Sequence, residues 1–463
     1  MNSPRRMSGH TVLLEEYMKK AGTVVTFIVG IFLVVTASAL VYNYLEWEKP
    51  KVKITEAFDM IGQKRNVTIK VADSRSGIRR IAVTLTQKQH TFNVASIDIP
   101  EEGVFEKTLP IEVSPRKLRM VNGPAVLEVK AVDYSPLHNT VIVKRNVTID
   151  MVPLRASLLS MAHNVNPGGT CLAVYSLTKQ ATKSGVMSGN IFFHGYPEKT
   201  AQGKTFYVCY FAVPIDVTRA TVMSVVAEDR AGNRAVVPIP FYVRSQHTFR
   251  DDTLAISADF VARKAAEFAQ DYPDLEGKSV LDAFTYINSQ MRKSNESAIH
   301  TQCLKTDPKQ LWQGEFLMMR NGATKARFGD RRTYVLNGVS AGASLHQGID
   351  LASTEHAPIE ASNSGTVTFT GNLGIYGNTV IIDHGQGISS LYGHMSAIQV
   401  TEGQKVTKGQ IIGSTGSTGW AGGDHLHFSI LVKGVFVNPI EWWDSHWIKD
   451  NVTLKLQDAQ AGL

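Results

Sequence analysis

Three cysteines in 463 residues are too few for a disulfide scaffold or a Cys-rich zinc module. The His-Glu-x-x-His helix of one zinc-protease class is absent, which excludes that route to a metal site. The Gly-rich loop at 414–423 lacks Gly-Lys-Ser/Thr and so does not read as a phosphate cradle. Arginine is missing from residues 335–463, where five lysines face ten acids for a net −5. The remaining residues carry 43 Lys/Arg against 31 Asp/Glu, or +12, within a whole-chain charge of +7. A nucleic-acid enzyme keeps its positive charge beside its chemistry. Here seven of fourteen histidines lie in the acidic segment, so no nucleic-acid partner is expected. With 43% hydrophobic and 19% charged residues, the chain can bury cores, and wholesale disorder is excluded.

Charge is also missing from residues 24–45, which are 22 residues long. As a helix this run reaches about 33 Å, enough to cross a bilayer. Arg5, Arg6, Lys19 and Lys20 precede it, and that bias puts the amino end in the cytoplasm. The expectation is a cytoplasmic tail (1–23) and a single-pass inner-membrane anchor in the lipid bilayer (24–45). Everything beyond is then periplasmic or extracellular. The competing reading is a cleaved signal peptide with Ala37-Ser38-Ala39 at the cleavage site.

Residues 52–150 alternate apolar and polar in short runs such as Asn66-Val67-Thr68-Ile69-Lys70-Val71, broken by Gly, Pro, Asp and Ser. This predicts a β-sandwich. Residues 153–243 read as a second copy. Val129-Lys130-Ala131-Val132-Asp133 with Asn139 is echoed by Val225-Val226-Ala227-Glu228-Asp229 with Asn233, at an Asp-to-Asp spacing of 96. Two immunoglobulin-like modules acting as a spacer are expected, the alternative being a binding module for glycan or a partner. Cys171 and Cys209 lie in strand-like runs of the second copy and read equally as a disulfide or as two buried thiols. Residues 251–299 switch to a helical period. Ser279 and Asp282 resemble a capping box, followed by Val280, Phe284, Ile287 and Met291 on one stripe, and a short helical connector is expected. For this helical segment at 251–299 the alternative to packing is a docking site for a cell-wall partner protein.

The chemistry-bearing residues come after 310. His346 and Asp350 differ by four, and His425 and His427 by two, so on strands each pair shares a face; Tyr392 and His394 would share another. Two imidazoles and a carboxylate suit Zn²⁺ and leave a fourth position for water. Two further histidines beside a metal can carry protons and stabilise an oxyanion. Spacing alone does not select among these residues.

The ordered text does more. Phe328-Gly329-Asp330-Arg331-Arg332, His346-Gln347-Gly348-Ile349-Asp350, Leu391-Tyr392-Gly393-His394-Met395-Ser396, Gly416-Ser417-Thr418-Gly419 and His425-Leu426-His427-Phe428 follow in sequence. Together they resemble the lysostaphin/LytM-type zinc metallopeptidases over about residues 315–441. The resemblance implies one zinc ion on His346, Asp350 and His427, with His394 and His425 as non-ligand catalytic histidines. It implies a Gly-rich, mostly antiparallel β domain with a groove (310–445), followed by a tail (446–463). It also implies peptidoglycan cross-links as substrate. The chain is thus expected to be mainly β: an anchor, two sandwiches, a helical connector and a metallopeptidase domain. A non-enzymatic activator of another wall hydrolase and a protein-directed peptidase are the rival readings. Asp424 and Ser429 depart from the common Pro and Glu of relatives, and a tyrosine that some relatives carry shortly before the first ligand is replaced by Ser340. Residues 300–345 are a candidate plug for a latent site, and Trp420 a candidate substrate-facing rim residue. His384 is expected to be structural, and His356 and His446 to lie at the surface.

Overall fold

The computed structural model describes residues 9–161, 163–244 and 249–462; Arg5 and Arg6 of the basic flank lie outside them. Strands dominate the chain, and it divides into two compact units: residues 1–152 with 230–233, and residues 153–229 with 234–463.

The first unit begins with the helix Gly9–Tyr44, 36 residues long. Its segment Glu16–Tyr42 is long and apolar enough to cross a bilayer, and Phe27, Phe32 and Leu33 on it are exposed. The β part holds a three-stranded sheet (Lys51–Ile54, Arg65–Ala72, Glu106–Val113) and a five-stranded sheet centred on Gly123–Asp133 and Ile78–Gln87. The alternation in the sequence is the packing rule. Val67, Ile69 and Val71 of one sheet and Ile81, Val83, Leu127 and Val129 of the other are buried in one core, while the intervening residues face outward.

Residues 153–243 form two four-stranded sheets with a parallel pair, His163–Val165 with Phe241–Val243. The sequence expects this region as a module of its own. In the structure its core runs on into the carboxy-terminal domain, and the two make one unit. Tyr210 packs on Trp312 and Trp442 with centroids 6.2 and 6.1 Å away. The Trp442 indole donates to Thr170 Oγ1 at 3.1 Å. The buried Glu441 carboxylate accepts from Asn166 Nδ2 at 2.7 Å and from the Thr170 amide at 2.6 Å. Aromatic residues 100 or more positions away in sequence cover this face, and local periodicity carries no sign of them. Cys171, Cys209 and Cys303 are buried free thiols. The segment expected as a tail is also packed: Trp447, Ile448, Val452 and Ala459 are buried in the same core.

The connector is helical as expected but longer and framed by a strand. Asp251–Ile256 pairs in parallel with Arg331–Leu336. Helices Ala258–Ala269, Val280–Tyr286 and Arg292–Cys303 follow. Ser279 caps the second: its hydroxyl accepts from the Asp282 amide at 3.2 Å and donates to the Asp282 carboxylate at 2.7 Å. Phe284, Ile287 and Met291 are buried along one stripe. The last domain is built on an antiparallel sheet in the order Ala323–Ala326, Ile349–Ala352, Leu426–Val432, Ile388–Met395, Asn378–Gly385, Gly365–Asn372 and Lys405–Val406.

Two outcomes follow from this packing. A chain reduced to residues 310–463 strips Tyr210 from Trp312 and Trp442 and takes the donors from Glu441. Each buried polar group left unpaired costs about 1–3 kcal/mol. Such a fragment is expected to aggregate or melt well below a 153–463 fragment in calorimetry; equal melting would contradict the shared core. Burial also pushes the imidazoles of His163 and His384 down to about 4 from an ordinary 6.5. Both are neutral when folded and bind a proton when unfolded, so their contribution is complete above about pH 6.5 and is lost as pH falls towards 4. Glu441, pushed up to about 7 by burial, works the other way, one group against two. The unfolding temperature is expected to fall from pH 6.5 to pH 4.5; a flat profile would contradict it.

Candidate metal centre

The site is assembled by strand register. Asp350 stands directly opposite His427 across one antiparallel pair, and Gly393 stands opposite His427 across the next. This brings three ligand atoms together. His346 Nε2 is 3.0 Å from Asp350 Oδ1 and 3.2 Å from His427 Nδ1, and His427 Nδ1 is 2.9 Å from Asp350 Oδ1. Ligands about 2.0–2.1 Å from a tetrahedral zinc lie roughly 3.3 Å apart. The observed triangle is close to that edge length, and the two-nitrogen, one-oxygen donor set fits Zn²⁺.

Hydrogen bonds on the far side fix which ring atoms are free. His346 Nδ1–H donates to the Arg327 carbonyl at 2.9 Å, leaving the Nε2 lone pair inward. Ser429 Oγ donates to the Gln347 carbonyl at 2.9 Å and so accepts from His427 Nε2–H at 3.1 Å, leaving the Nδ1 lone pair inward. Ser429, where relatives often carry Glu, therefore orients a ligand candidate. Arg332 Nη2 donates to Asp350 Oδ2 at 3.0 Å and so holds the carboxylate with Oδ1 facing the imidazoles. Arg332 went unassigned in the sequence, although it stands in the quoted Phe-Gly-Asp-Arg-Arg run. Burial alone would raise the Asp350 carboxyl; the adjoining imidazoles of His346 and His427 outweigh it and hold the group well below the usual carboxylate range. Burial pushes His427 down to about 4, so its ring is neutral at neutral pH. Gly348 makes room for this ring: a Cβ there would lie 2.6 Å from His427 Nε2.

His394 and His425 lie beside the triangle, their rings 4.7 Å apart. His394 Nδ1–H donates to the Thr418 carbonyl and His425 Nδ1–H to the Gly423 carbonyl, each at 2.8 Å. Both Nε2 atoms are left as acceptors. Burial, with the imidazoles of His425 and His427 beside it, holds His394 well below the ordinary imidazole range. One expectation fails here. Tyr392 and His394 do not share a face: Tyr392 packs on Phe428 and hydrogen-bonds Ser362 and Ser390, while His394 faces His427. The cause is a left-handed backbone at His394, φ +62°, which breaks strand alternation.

All five residues line a groove of about 330 Å³. Its other wall is made by Leu254, Phe260, Arg292, Arg332, Tyr334 and Trp420. Leu254, Phe260 and Arg292 lie upstream of the 300–345 span expected as a plug, and that span gives Arg332 and Tyr334. Trp420 is packed on Phe260 and Phe268 of the helical segment, centroids 4.9 and 6.4 Å away, and does not stand free on the rim. His384 is fully buried between the Ser364 carbonyl and Ser390 Oγ, a structural role. His356 and His446 are exposed. Arg332→Met is expected to weaken zinc binding roughly 10–100-fold with the fold retained. Competition with a chromogenic chelator reads this directly, and unchanged affinity would remove Arg332 from the site.

Residues 344–439 match the family Peptidase family M23. The chain is 46% identical over 96 residues to the DD-carboxypeptidase/endopeptidase Mpg of Neisseria meningitidis serogroup B, covering 21% of this chain and 22% of that one. It is 40% identical over 106 residues to the peptidoglycan DD-endopeptidase ShyA of Vibrio cholerae, covering 23% and 25%. It is 38% identical over 109 residues to the murein hydrolase activator NlpD of Salmonella dublin, covering 23% and 29%. The match thus spans less than a third of each of these relatives. The histidine and aspartate triangle, the two flanking imidazoles and the groove all fall within or against this matched segment, and the carboxy-terminal part of the chain is a Peptidase family M23 domain of the lysostaphin/LytM type.

Proposed function

We propose that this protein is a membrane-anchored zinc metalloendopeptidase that hydrolyses peptide cross-links of peptidoglycan. The observation that carries the reading is the meeting of His346 Nε2, Asp350 Oδ1 and His427 Nδ1 within 3.2 Å, with two further imidazoles in the same groove. Those three side chains would hold the zinc. Zinc held there would supply Lewis-acid polarisation of the scissile carbonyl and a water of lowered pKa, towards about 7. His394 is neutral, with Nε2 unprotonated, so it takes a proton from the attacking water and returns it to the leaving amine. The Thr418 carbonyl fixes its tautomer, as the Gly423 carbonyl fixes that of His425. His425 Nε2 lies 3.7 Å from Asp350 Oδ1; with a proton taken from solvent on Nε2, and Nδ1–H still held by the Gly423 carbonyl, it would donate to the developing oxyanion. The groove's apolar wall at Phe260 and Tyr334 excludes water from one side of a bound peptide.

The substrate class rests on the names of the relatives Mpg and ShyA. The anchoring reading is supported by the apolar span Glu16–Tyr42, and the Lys/Arg excess before it supports a cytoplasmic amino end with the remainder of the chain beyond the inner membrane. One observation favours a second reading: the NlpD relative is a hydrolase activator, and the helical segment walls the groove on one side. An activator needs no turnover.

The test incubates the full chain in detergent with cross-linked peptidoglycan and measures bound zinc beside the released peptides. The wild type is expected to release cross-link fragments in a metal-dependent way. His427→Ala is expected to lose zinc, and His394→Ala to keep zinc while turnover drops about 10²–10⁴-fold. Release by neither the wild type nor the variants, with a separate amidase stimulated, would favour the activator. Equal activity in both variants would overturn the residue roles.

A further inference from the structure

A second cluster of ligating side chains lies in the first unit, at the point where the chain leaves the apolar helix. Glu46, Asp73 and Asp133 each offer one carboxylate oxygen, and these oxygens lie within 4.8 Å of one another. All three side chains are more than nine-tenths buried, Asp133 completely. Each carboxylate has one oxygen engaged by local donors. Ser76 N–H donates to Glu46 Oε2 at 3.1 Å, Gly77 N–H to Asp73 Oδ1 at 2.7 Å, and Ser135 Oγ–H to Asp133 Oδ1 at 2.7 Å. The other oxygen of each, Glu46 Oε1, Asp73 Oδ2 and Asp133 Oδ2, is buried with no hydrogen-bond partner, as is the nearby Ser76 Oγ. Among the described residues, no lysine or arginine is ion-paired to any of the three.

Three buried carboxylates with orphaned oxygens and no counter-charge are mutually repulsive. The internal repeat shows how the same position is settled when a cation is at hand. Asp229, the counterpart of Asp133, is also buried, and Lys179 Nζ lies 2.5 Å from its Oδ2. No lysine fills that role at Asp133. We propose that Glu46, Asp73 and Asp133 bind one calcium ion. The donors are all oxygen, which selects a hard cation, and three carboxylates exceed the one or two that magnesium, with its retained waters, takes. The Asn139 amide already ties this loop to the chain leaving the helix, donating to the carbonyls of Glu46 and Glu48 at 2.8 and 3.1 Å. Calcium adds the charge that holds Glu46 down on the Asp73 and Asp133 loops and stiffens the exit from the membrane.

The experiment uses the full chain in detergent, stripped with a chelator and titrated with calcium chloride by isothermal calorimetry and by thermal unfolding. Extracellular calcium modules bind at about 10⁻⁴–10⁻³ M, so 10 mM calcium is near saturation. One calcium per chain is expected, with a melting shift on the order of 5–10 °C. Glu46→Gln and Asp133→Asn should each abolish binding and shift, while His427→Ala should retain both. Wild type without saturable calcium binding, or folded variants that bind as wild type does, would overturn the site. Should the variants fail to fold, the wild-type titration alone decides: one bound calcium with a raised melting temperature supports the site, and no shift overturns it.

Discussion

Three lone pairs pointed at one another within 3.2 Å are the constraint on which the carboxy-terminal domain depends. Left alone, two imidazole nitrogens and a carboxylate oxygen in a buried space would turn away or take up protons. The domain prevents this from outside the triangle. The Arg327 carbonyl, the Ser429 hydroxyl and the Arg332 guanidinium each occupy the far atom of one ligand candidate. The sheet register then sets Asp350 against His427. The result is preorganised for a small divalent cation, because the cost of gathering the donors is met by backbone pairing and outer hydrogen bonds.

The rest of this unit supports that geometry. Residues 153–243 contribute Tyr210, Thr170 and Asn166 to a seam around Trp312, Trp442 and Glu441, which backs the domain. The helical segment contributes Phe260 and Phe268 against Trp420, and Asn295 accepts from the Ile375 amide at 2.9 Å beside Tyr376. The groove thus has two walls of different origin: one carries the histidines, and the other is built mainly from upstream chain with Trp420 packed against it. Whatever reaches the triangle must fit between them, so the upstream segment takes part in defining what enters.

How much of this was legible in the sequence depends on the range of the interactions. The β alternation of Val67–Ile69–Val71 and the stripe of Phe284, Ile287 and Met291 were legible, because burial there follows local periodicity. His346, Asp350 and His427 were legible as a set through the ordered motifs; spacing alone left them among several pairs. His394 was misplaced relative to Tyr392 because alternation assumes an extended backbone, and φ is +62° there. Arg332 was hidden because its partner lies 18 positions on, across a hairpin. The merging of residues 153–243 with the carboxy-terminal domain was not legible at all. It rests on aromatic contacts between segments 100 and more residues apart, and an amphipathic strand looks the same whether a helix, a sheet or a neighbouring domain covers it. The carboxylates of Glu46, Asp73 and Asp133 escaped for the same reason: one follows the apolar helix, one follows the strand Arg65–Ala72 and one ends the strand Gly123–Asp133 of a different sheet.

The most direct test of the proposed metal centre is diffraction from crystals of the full chain grown with zinc, with anomalous data collected on both sides of the zinc edge. One peak is expected, about 2.0–2.2 Å from His346 Nε2, Asp350 Oδ1 and His427 Nδ1 together. A peak held instead by His394 and His425, or no peak within reach of the three atoms, would contradict the assignment of the ligands and the chemistry built on it.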